Sequence, residues 1–291
     1  MSLVLLRFLV SVLAASRALA CVYDRDALRL MRRDGAATFS YTGESGPLGW
    51  ARLTPANGAC ANGTNQSPIV ISTAATARLP TPPTITLPDV PTGVATLENL
   101  GVTLEVVANG TLVSADGTQY ALQQFHFHTP SEHRIDEEYF PLEMHMVFKS
   151  NAGNVSVLGV PFELSDTGNS TSLLTAVFAN LAQVSNPGAD APTDALHFGE
   201  VLSAVQTAPI YAYSGSLTTP PCTENVAWMV LGTPLPLDVK TYKAVKKVLK
   251  YNARFSQNTP GEINLEEYAA QGLCERTLPG PSAWCSVIVQ L

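Results

Sequence analysis

Two stretches of this chain alternate polar and apolar residues: Gln124-Phe125-His126-Phe127-His128 and Leu142-Glu143-Met144-His145-Met146-Val147. That period of two restricts the fold more than any other feature. Successive side chains of a strand point to opposite faces, so Gln124, His126 and His128 share one face while Phe125 and Phe127 enter a core on the other. The same rule puts Glu143, His145 and Val147 together. If the two strands pair, three imidazoles converge on rigid backbone. Three neutral nitrogens around Zn2+ with a fourth position open form a catalytic arrangement, not a closed structural one. A metal-bound histidine usually passes its second N–H to a fixed acceptor. Gln124 is placed to serve His126 in this way, and Glu143 to serve His145. An isolated His-x-His in a strand is ordinarily a pair of hydrogen-bonded core residues. The third histidine and the two polar neighbours favour the metal.

Around these strands the pattern stays β-rich. Ala95 to His128 reads as strand, turn, strand, with Asn109-Gly110 and Asp116-Gly117 as hairpin turns. Leu142–Phe148 and Val155–Phe162 follow, separated by a turn at residues 150–154, and Ile210–Tyr213 and Val226–Leu231 are two further strands. The Pro-rich stretch Leu79–Pro91 reads as a surface loop. Two segments have helical period. Leu173, Leu174, Val177, Phe178, Leu181 and Val184 form one stripe; Val239, Tyr242, Val245 and Leu249 form another, capped by Asp238. With 291 residues, 46% of them hydrophobic, and neither repeat nor low-complexity linker, one β-dominated domain with a few helices is expected.

The formal net charge of −7 argues against nucleic acid or an anionic membrane as the main partner. Lys240, Lys243, Lys246, Lys247 and Lys250 on the second helix read as a solvated face in so acidic a chain. Residues 1–20 read as a signal peptide: Arg7, an apolar run from Phe8 to Ala15, and the small-residue site Ala18-Leu19-Ala20. The run is well short of the ~20 residues of a spanning helix. Cleavage would leave a balance of −9, fifteen basic against twenty-four acidic residues. The apolar run Ala283–Leu291 is too short for the ~10–20-residue tail of a lipid-anchor signal, so no transmembrane segment is expected after cleavage. Asn62-Gly63-Thr64, Asn65-Gln66-Ser67, Asn109-Gly110-Thr111, Asn154-Val155-Ser156 and Asn169-Ser170-Thr171 match the glycosylation acceptor pattern, with Pro68 making the Asn65 site a poor one. The cysteines are Cys21, Cys60, Cys222, Cys274 and Cys285; without a C-x-x-C pair, disulfides fit better than a thiolate zinc site. A secreted, disulfide-bonded glycoprotein is expected.

The motifs taken together resemble the α-class carbonic anhydrases. Gln124-Phe125-His126-Phe127-His128, Ser131-Glu132-His133 and Glu143-Met144-His145-Met146-Val147 look like that family's zinc region. Ser216-Leu217-Thr218-Thr219-Pro220-Pro221-Cys222 with Trp228, Tyr41…Gly46-Pro47…Trp50, and Gln66-Ser67-Pro68-Ile69 match further signatures, in order from about Phe39 to Gln257. The resemblance implies a mainly β (α+β) single domain around a large, mostly antiparallel, twisted β-sheet with a few short peripheral helices. Its boundaries would be residues 39–275, after a signal peptide (1–20) and an N-terminal segment (21–38), and before a tail (276–291). It implies a lyase: reversible hydration of carbon dioxide to bicarbonate and a proton by a zinc-bound hydroxide. His126, His128 and His145 would be the ligands, with Gln124 and Glu143 behind them. Glu132 and Thr218 would orient the nucleophile. Val147, Val157, Leu217, Val226 and Trp228 would form the apolar substrate pocket, with Thr219 and Tyr41 on the solvent side. Asn252-Ala253-Arg254 and Gln257 resemble the segment that closes the fold, and Cys60 and Cys222 stand where secreted members form a disulfide.

Donor counting gives the Glu132–Thr218 pair a physical meaning. A threonine hydroxyl has one proton to give. If an ionised Glu132 takes it, Thr218 can only accept, so the attacking oxygen must donate to it. The sequence departs from the family at Asn99-Leu100-Gly101-Val102, where Val102 aligns with the proton-shuttling histidine of efficient members, and at Thr129-Pro130, which shortens a connection. His133 reads as structural, and His197 lies in another segment. The rival expectation is a non-catalytic carbonic-anhydrase-like binding domain. Such domains typically lack zinc histidines, and all three are present here. A zinc peptidase is excluded by the lack of an H-E-x-x-H pattern.

Overall fold

A computed structural model describes residues 39–277 of the chain. The signal-peptide reading, the segment 21–38, Cys21, Cys285 and the end of the C-terminal tail lie outside the described residues. An 11-stranded sheet forms the body. Its main path runs Asp190–Pro192, Thr96–Asn99, Leu104–Val106, Gln119–His128, Leu142–Ser150, Val155–Leu164, Glu224–Leu231, Ile210–Ser216. All neighbours along it are antiparallel except Val155–Leu164 with Glu224–Leu231. Among the described residues, no helix is long and apolar enough to cross a membrane.

The alternation in the central strands sorts their two faces as the sequence demands. Phe125, Phe127, Leu142, Met144, Met146 and Phe148 are fully buried in one large apolar cluster, covered by Leu173, Leu174 and Val177 and by Val245 of the Val239–Leu249 helix. Fully burying a side chain of this kind contributes roughly 1.5–3 kcal/mol. The opposite face carries the polar residues and a smaller cluster of Val147, Val157, Val226 and Trp228, with Leu217 packed against it.

Three local expectations are corrected. Asn109-Gly110 is no hairpin turn: Leu104–Val106 and Thr111–Val113 do not pair with each other, and each instead pairs with Gln119–His128. Glycine is needed at 110 for space, since a Cβ there would meet Thr86 O at 2.9 Å and Leu87 Cδ2 at 2.6 Å. Asp116-Gly117 does turn the chain, with Gly117 at φ +83° and Ser114 N donating to Thr118 O. The Pro-rich segment is not all loop, because Thr84–Thr86 adds a strand with Ile85 buried. The Leu173–Val184 stripe is two elements, helix Ser172–Val177 and the 3-10 turn Leu181–Val184, broken where Phe178 and Asn180 leave helical geometry. The helix Val239–Leu249 starts as expected, with Asp238 accepting from Thr241 N.

Cys60 and Cys222 are disulfide-bonded across 162 residues of sequence, a link worth about 2–5 kcal/mol on chain-entropy reasoning. Buried Arg254 stitches the same region. Its guanidinium donates to Gln66 Oε1, Ser67 O and Cys60 O, and Gln66 Nε2 donates to Cys222 O. The Gln66-Ser67 motif therefore lies in a buried junction that ties the N-terminal segment to the sheet.

Candidate metal centre

The strands Gln119–His128 and Leu142–Ser150 pair antiparallel with His126 directly opposite His145, and His128 opposite Glu143. The register therefore brings the three imidazoles together. Ring centroids lie 5.0 Å apart for His126–His128, 5.3 Å for His126–His145 and 4.5 Å for His128–His145. One nitrogen from each lies within 4.8 Å of the others. All three rings are buried.

A fixed acceptor holds each ring. His126 Nδ1 donates to Gln124 Oε1 at 2.8 Å, and His145 Nε2 to Glu143 Oε1 at 2.8 Å. His128 Nδ1 donates to the carbonyl of Asn252 at 2.8 Å. The nitrogens left for a metal are thus Nε2, Nε2 and Nδ1. Burial lowers the pKa of all three: well below the usual range for His126, to about 4 for His128, and downward for His145. The rings are neutral donors, as metal ligation requires. His128 Nε2 is buried with no hydrogen-bond partner. Such an orphan is costly in a closed protein, and a cation at the convergence point satisfies it. The donor set, three convergent neutral imidazole nitrogens, fits zinc.

Glu143 is the anchor beneath. Its Oε1 accepts from His145 and from His133 Nδ1 (2.7 Å), and its Oε2 from the backbone N–H groups of Glu132 and His133 (2.8 Å each). Burial alone would raise its pKa, but the two rings and their hydrogen bonds outweigh burial and hold the carboxyl well below its usual range. His133 Nε2 is in turn hydrogen-bonded with the Tyr213 hydroxyl at 2.7 Å, and that hydroxyl donates to Ser67 Oγ at 2.8 Å. His133, Glu143 and His145 also stand within metal-ligating distance of one another. With both oxygens of Glu143 engaged by four N–H groups, that trio is a hydrogen-bonded support and not a second metal site.

Glu132 lies alongside, its Oε1 accepting from Arg254 N at 2.8 Å and standing 3.5 Å from His128 Nδ1. Burial raises its carboxyl to about 7, against the opposing pull of His145, Arg254 N and the nearby Thr218 hydroxyl, although its Oε2 makes no hydrogen bond of ordinary geometry. Thr218 and Thr219 are buried. Val147, Val157, Val226, Trp228 and Leu217 form one apolar cluster on the metal face. Tyr41 packs edge-on against Phe39 and Trp50. Val102 belongs to the neighbouring cluster of Phe39, Trp50, Cys60 and Cys222. Sequence reasoning had no partner for His128. Asn252 is 124 residues away, and the only signal in the chain was its place in the closing segment.

The eukaryotic-type carbonic anhydrase family model matches residues 45–266. A carbonic anhydrase of Klebsiella pneumoniae is 36% identical over 205 residues, 69% of this chain and 79% of that protein. The solved α-carbonic anhydrase of Aspergillus oryzae superposes with a TM-score of 0.77 at 47% identity, covering 80% of this chain and 98% of that one. That of Thermovibrio ammonificans, solved with the inhibitor sulfanilamide, gives 0.69 at 33%, covering 79% and 99%. With the histidine triad intact and its supports in place, the chain belongs to the α-class, eukaryotic-type carbonic anhydrase family, whose members hydrate carbon dioxide.

Proposed function

We propose that carbon dioxide hydration proceeds here at a single zinc held by His126, His128 and His145, with Thr218 and Glu132 orienting the attacking oxygen. The observation that carries this is the convergence of three neutral rings around the orphaned His128 Nε2. Zinc with three neutral nitrogen donors is a Lewis acid that makes a nucleophile of water near neutral pH, the property for which carbonic anhydrases are the standard case. The protein supplies orientation, a dry wall and a way out for the proton.

Glu132 in its ionised form takes the one proton of Thr218. The threonine oxygen then accepts only, so it selects a reacting oxygen that still carries hydrogen and aims that oxygen's lone pair at the substrate. An anion without a proton to give is disfavoured at the same place. Val147, Val157, Leu217, Val226 and Trp228 receive carbon dioxide, a small apolar molecule that gains nothing from polar contacts. Thr219 and Tyr41 serve the solvent side. The proton leaves without a histidine shuttle. Beside the three ligands, the chain has only His133 and His197. His133 is buried between Glu143 and Tyr213. His197 is exposed, but it is paired to Asp89 at 2.8 Å, next to Leu196 and Phe198 of the cluster behind the sheet. The disulfide marks an oxidising, extracytoplasmic compartment, and we read the chain as secreted.

The test is metal content against activity. Alanine at any one of the three histidines should drop zinc well below one per chain and reduce hydration to the buffer rate. Chelation of the wild type should do the same, reversibly on zinc addition. Full hydration by metal-free protein would overturn the proposal.

A further inference from the structure

Five of the six lysines of this chain, Lys240, Lys243, Lys246, Lys247 and Lys250, lie on or directly after one helix, Val239–Leu249, which contains no acidic residue. All five are exposed. Lys246 lies over the Tyr242 ring, 4.9 Å from its centroid; among the described residues none of the five is in an ion pair. The nearby carboxylate, Asp238, is committed to Ser170 and Thr241 at the helix start. In a chain of net charge −7, positive charge is therefore gathered on one element and left without counter-charges. Lys240, Lys243 and Lys247 follow the spacing of a single helix face and span about 10 Å at 1.5 Å per residue, and Lys250 follows directly after the helix end.

We infer that this face is a docking surface for a linear anionic polysaccharide, sulfated or carboxylated, that holds the enzyme on an extracellular matrix while the metal site stays open. A row of ammonium groups at helical spacing suits a flexible chain of regularly placed anions, and such basic clusters attract polyanions through the summed field. Three observations select this partner. The helix turns its apolar stripe into the core: Val245 is fully buried, and Tyr242, Val248 and Leu249 pack against the same cluster. Val239 and Tyr251 at the two ends are exposed, but they form no continuous apolar face of the kind an interfacial helix needs to enter a lipid surface. The disulfide fits an oxidising, extracytoplasmic compartment, apart from the cytosolic and nuclear pools of nucleic acid. Finally, Val245 joins the apolar cluster of Phe125 and Phe127, the face opposite His126 and His128, so an occupant here does not cover the metal centre.

The test uses the full zinc-loaded protein on immobilised heparin, with sedimentation on soluble heparin as a second readout. The wild type should be retained at about 50 mM salt, with affinity falling roughly 10²-fold by about 200 mM if four cations contribute. The triple variant Lys240→Gln/Lys243→Gln/Lys247→Gln should lose at least about tenfold in affinity and keep wild-type hydration. A control with the same charge change elsewhere, Arg52→Gln/Arg78→Gln/Lys149→Gln, should bind as wild type. No retention at low salt, or equal loss in the control, overturns the inference. So does tighter binding to duplex DNA or anionic vesicles than to heparin, or a salt-sensitive self-association that the triple variant abolishes. Because hydration is read in parallel, a failure here leaves the zinc assignment separately tested.

Discussion

The two faces of one pair of strands make the most instructive contrast in this molecule. On one side Gln124, His126, His128, Glu143 and His145 are buried yet polar, and hydrogen bonds from named partners hold every ring and the carboxylate. On the other, Phe125, Phe127, Met144, Met146 and Phe148 are equally buried and make no demand beyond shape. The backbone is shared, so only the alternation decides which residue does which work, and a one-residue slip would exchange the faces. The apolar face is specified locally, by pattern and volume. The polar face depends on groups far away in sequence: Asn252, Arg254, Tyr213 and Ser67. Changes behind the sheet should thus cost stability and spare chemistry, and changes in front should do the reverse.

The largest separation is expected from Phe127→Ala. The ring is fully buried, edge-on to Phe125 and tilted against Phe178. Its loss should cost about 3–5 kcal/mol in urea denaturation, while kcat per bound zinc in the folded fraction stays within a factor of a few. A large fall in kcat with full stability would break the division between the faces. Thr218→Ala is the mirror test. Losing one preorganised hydrogen bond at the reacting centre should lower hydration by about 10²-fold, roughly 2.7 kcal/mol, with zinc content and the denaturation midpoint unchanged. Wild-type kinetics in this variant would remove the donor-counting argument for Glu132 and Thr218.

Legibility in the sequence follows the same division. The alternation of His126, Phe127 and His128 and its partner at His145 made the shared face of the three rings readable, because strand periodicity fixes the face, while the register that sets His126 opposite His145 needed the fold. Gln124 and Glu143 were readable for the same reason, being two residues from the rings they hold. The Asn252 carbonyl was not, since a backbone group reached across 124 residues leaves no trace in composition or period. The role of His133 was readable only as a structural residue, and its link to Tyr213 and Ser67 needed the fold. Gly110 misled because the Asn-Gly pair is a strong turn signal, whereas here close packing against Thr86 and Leu87 requires the glycine. The helix Gly199–Thr207 went unread because it buries only Val201 and Val205, too short a stripe to show a period.

Between the two faces in expected effect lies Val102. It is buried against Phe39, Trp50 and the disulfide, and its carbonyl accepts from Asn252 Nδ2 at 3.0 Å, the same residue whose carbonyl holds His128. Valine carries no proton, so release to solvent should depend on the medium. Adding imidazole-type buffer should raise kcat and leave kcat/KM nearly constant. Val102→His should raise kcat at low buffer by about tenfold, below the ~10²-fold of an optimally placed group, and flatten the buffer dependence. Buffer-independent turnover in the wild type would assign the transfer to another residue.

The smallest effect, and the one that isolates the back of the molecule, concerns Asp238. It caps the lysine-bearing helix by accepting from Thr241 N at 2.9 Å and from Ser170 Oγ at 2.6 Å, and its charge also favours the helix N-terminus. Slight burial alone would raise its pKa, but these hydrogen bonds outweigh it and lower the group to about 2. The folded pKa lies below the usual value near 3.8, so the carboxylate contributes stability that is fully present above about pH 4. That contribution is lost as pH falls through the folded value near 2. Asp238→Ala should therefore cost about 1 kcal/mol at neutral pH, the ordinary worth of an N-cap, and the gap to wild type should narrow steadily below about pH 4. Asp238→Asn keeps an accepting oxygen without a titrating group, so it should retain most of the cap at neutral pH, and its difference from wild type should change below about pH 4 by the same amount as that of Asp238→Ala, since only the wild-type carboxylate titrates. Hydration at neutral pH should be unaltered in both variants, because the helix packs behind the sheet and no group of the metal face bonds to Asp238. A gap between wild type and Asp238→Ala that stays constant from pH 7 to pH 3 would show that the charge of this cap contributes nothing. A change in hydration would show that the two faces are coupled through this helix.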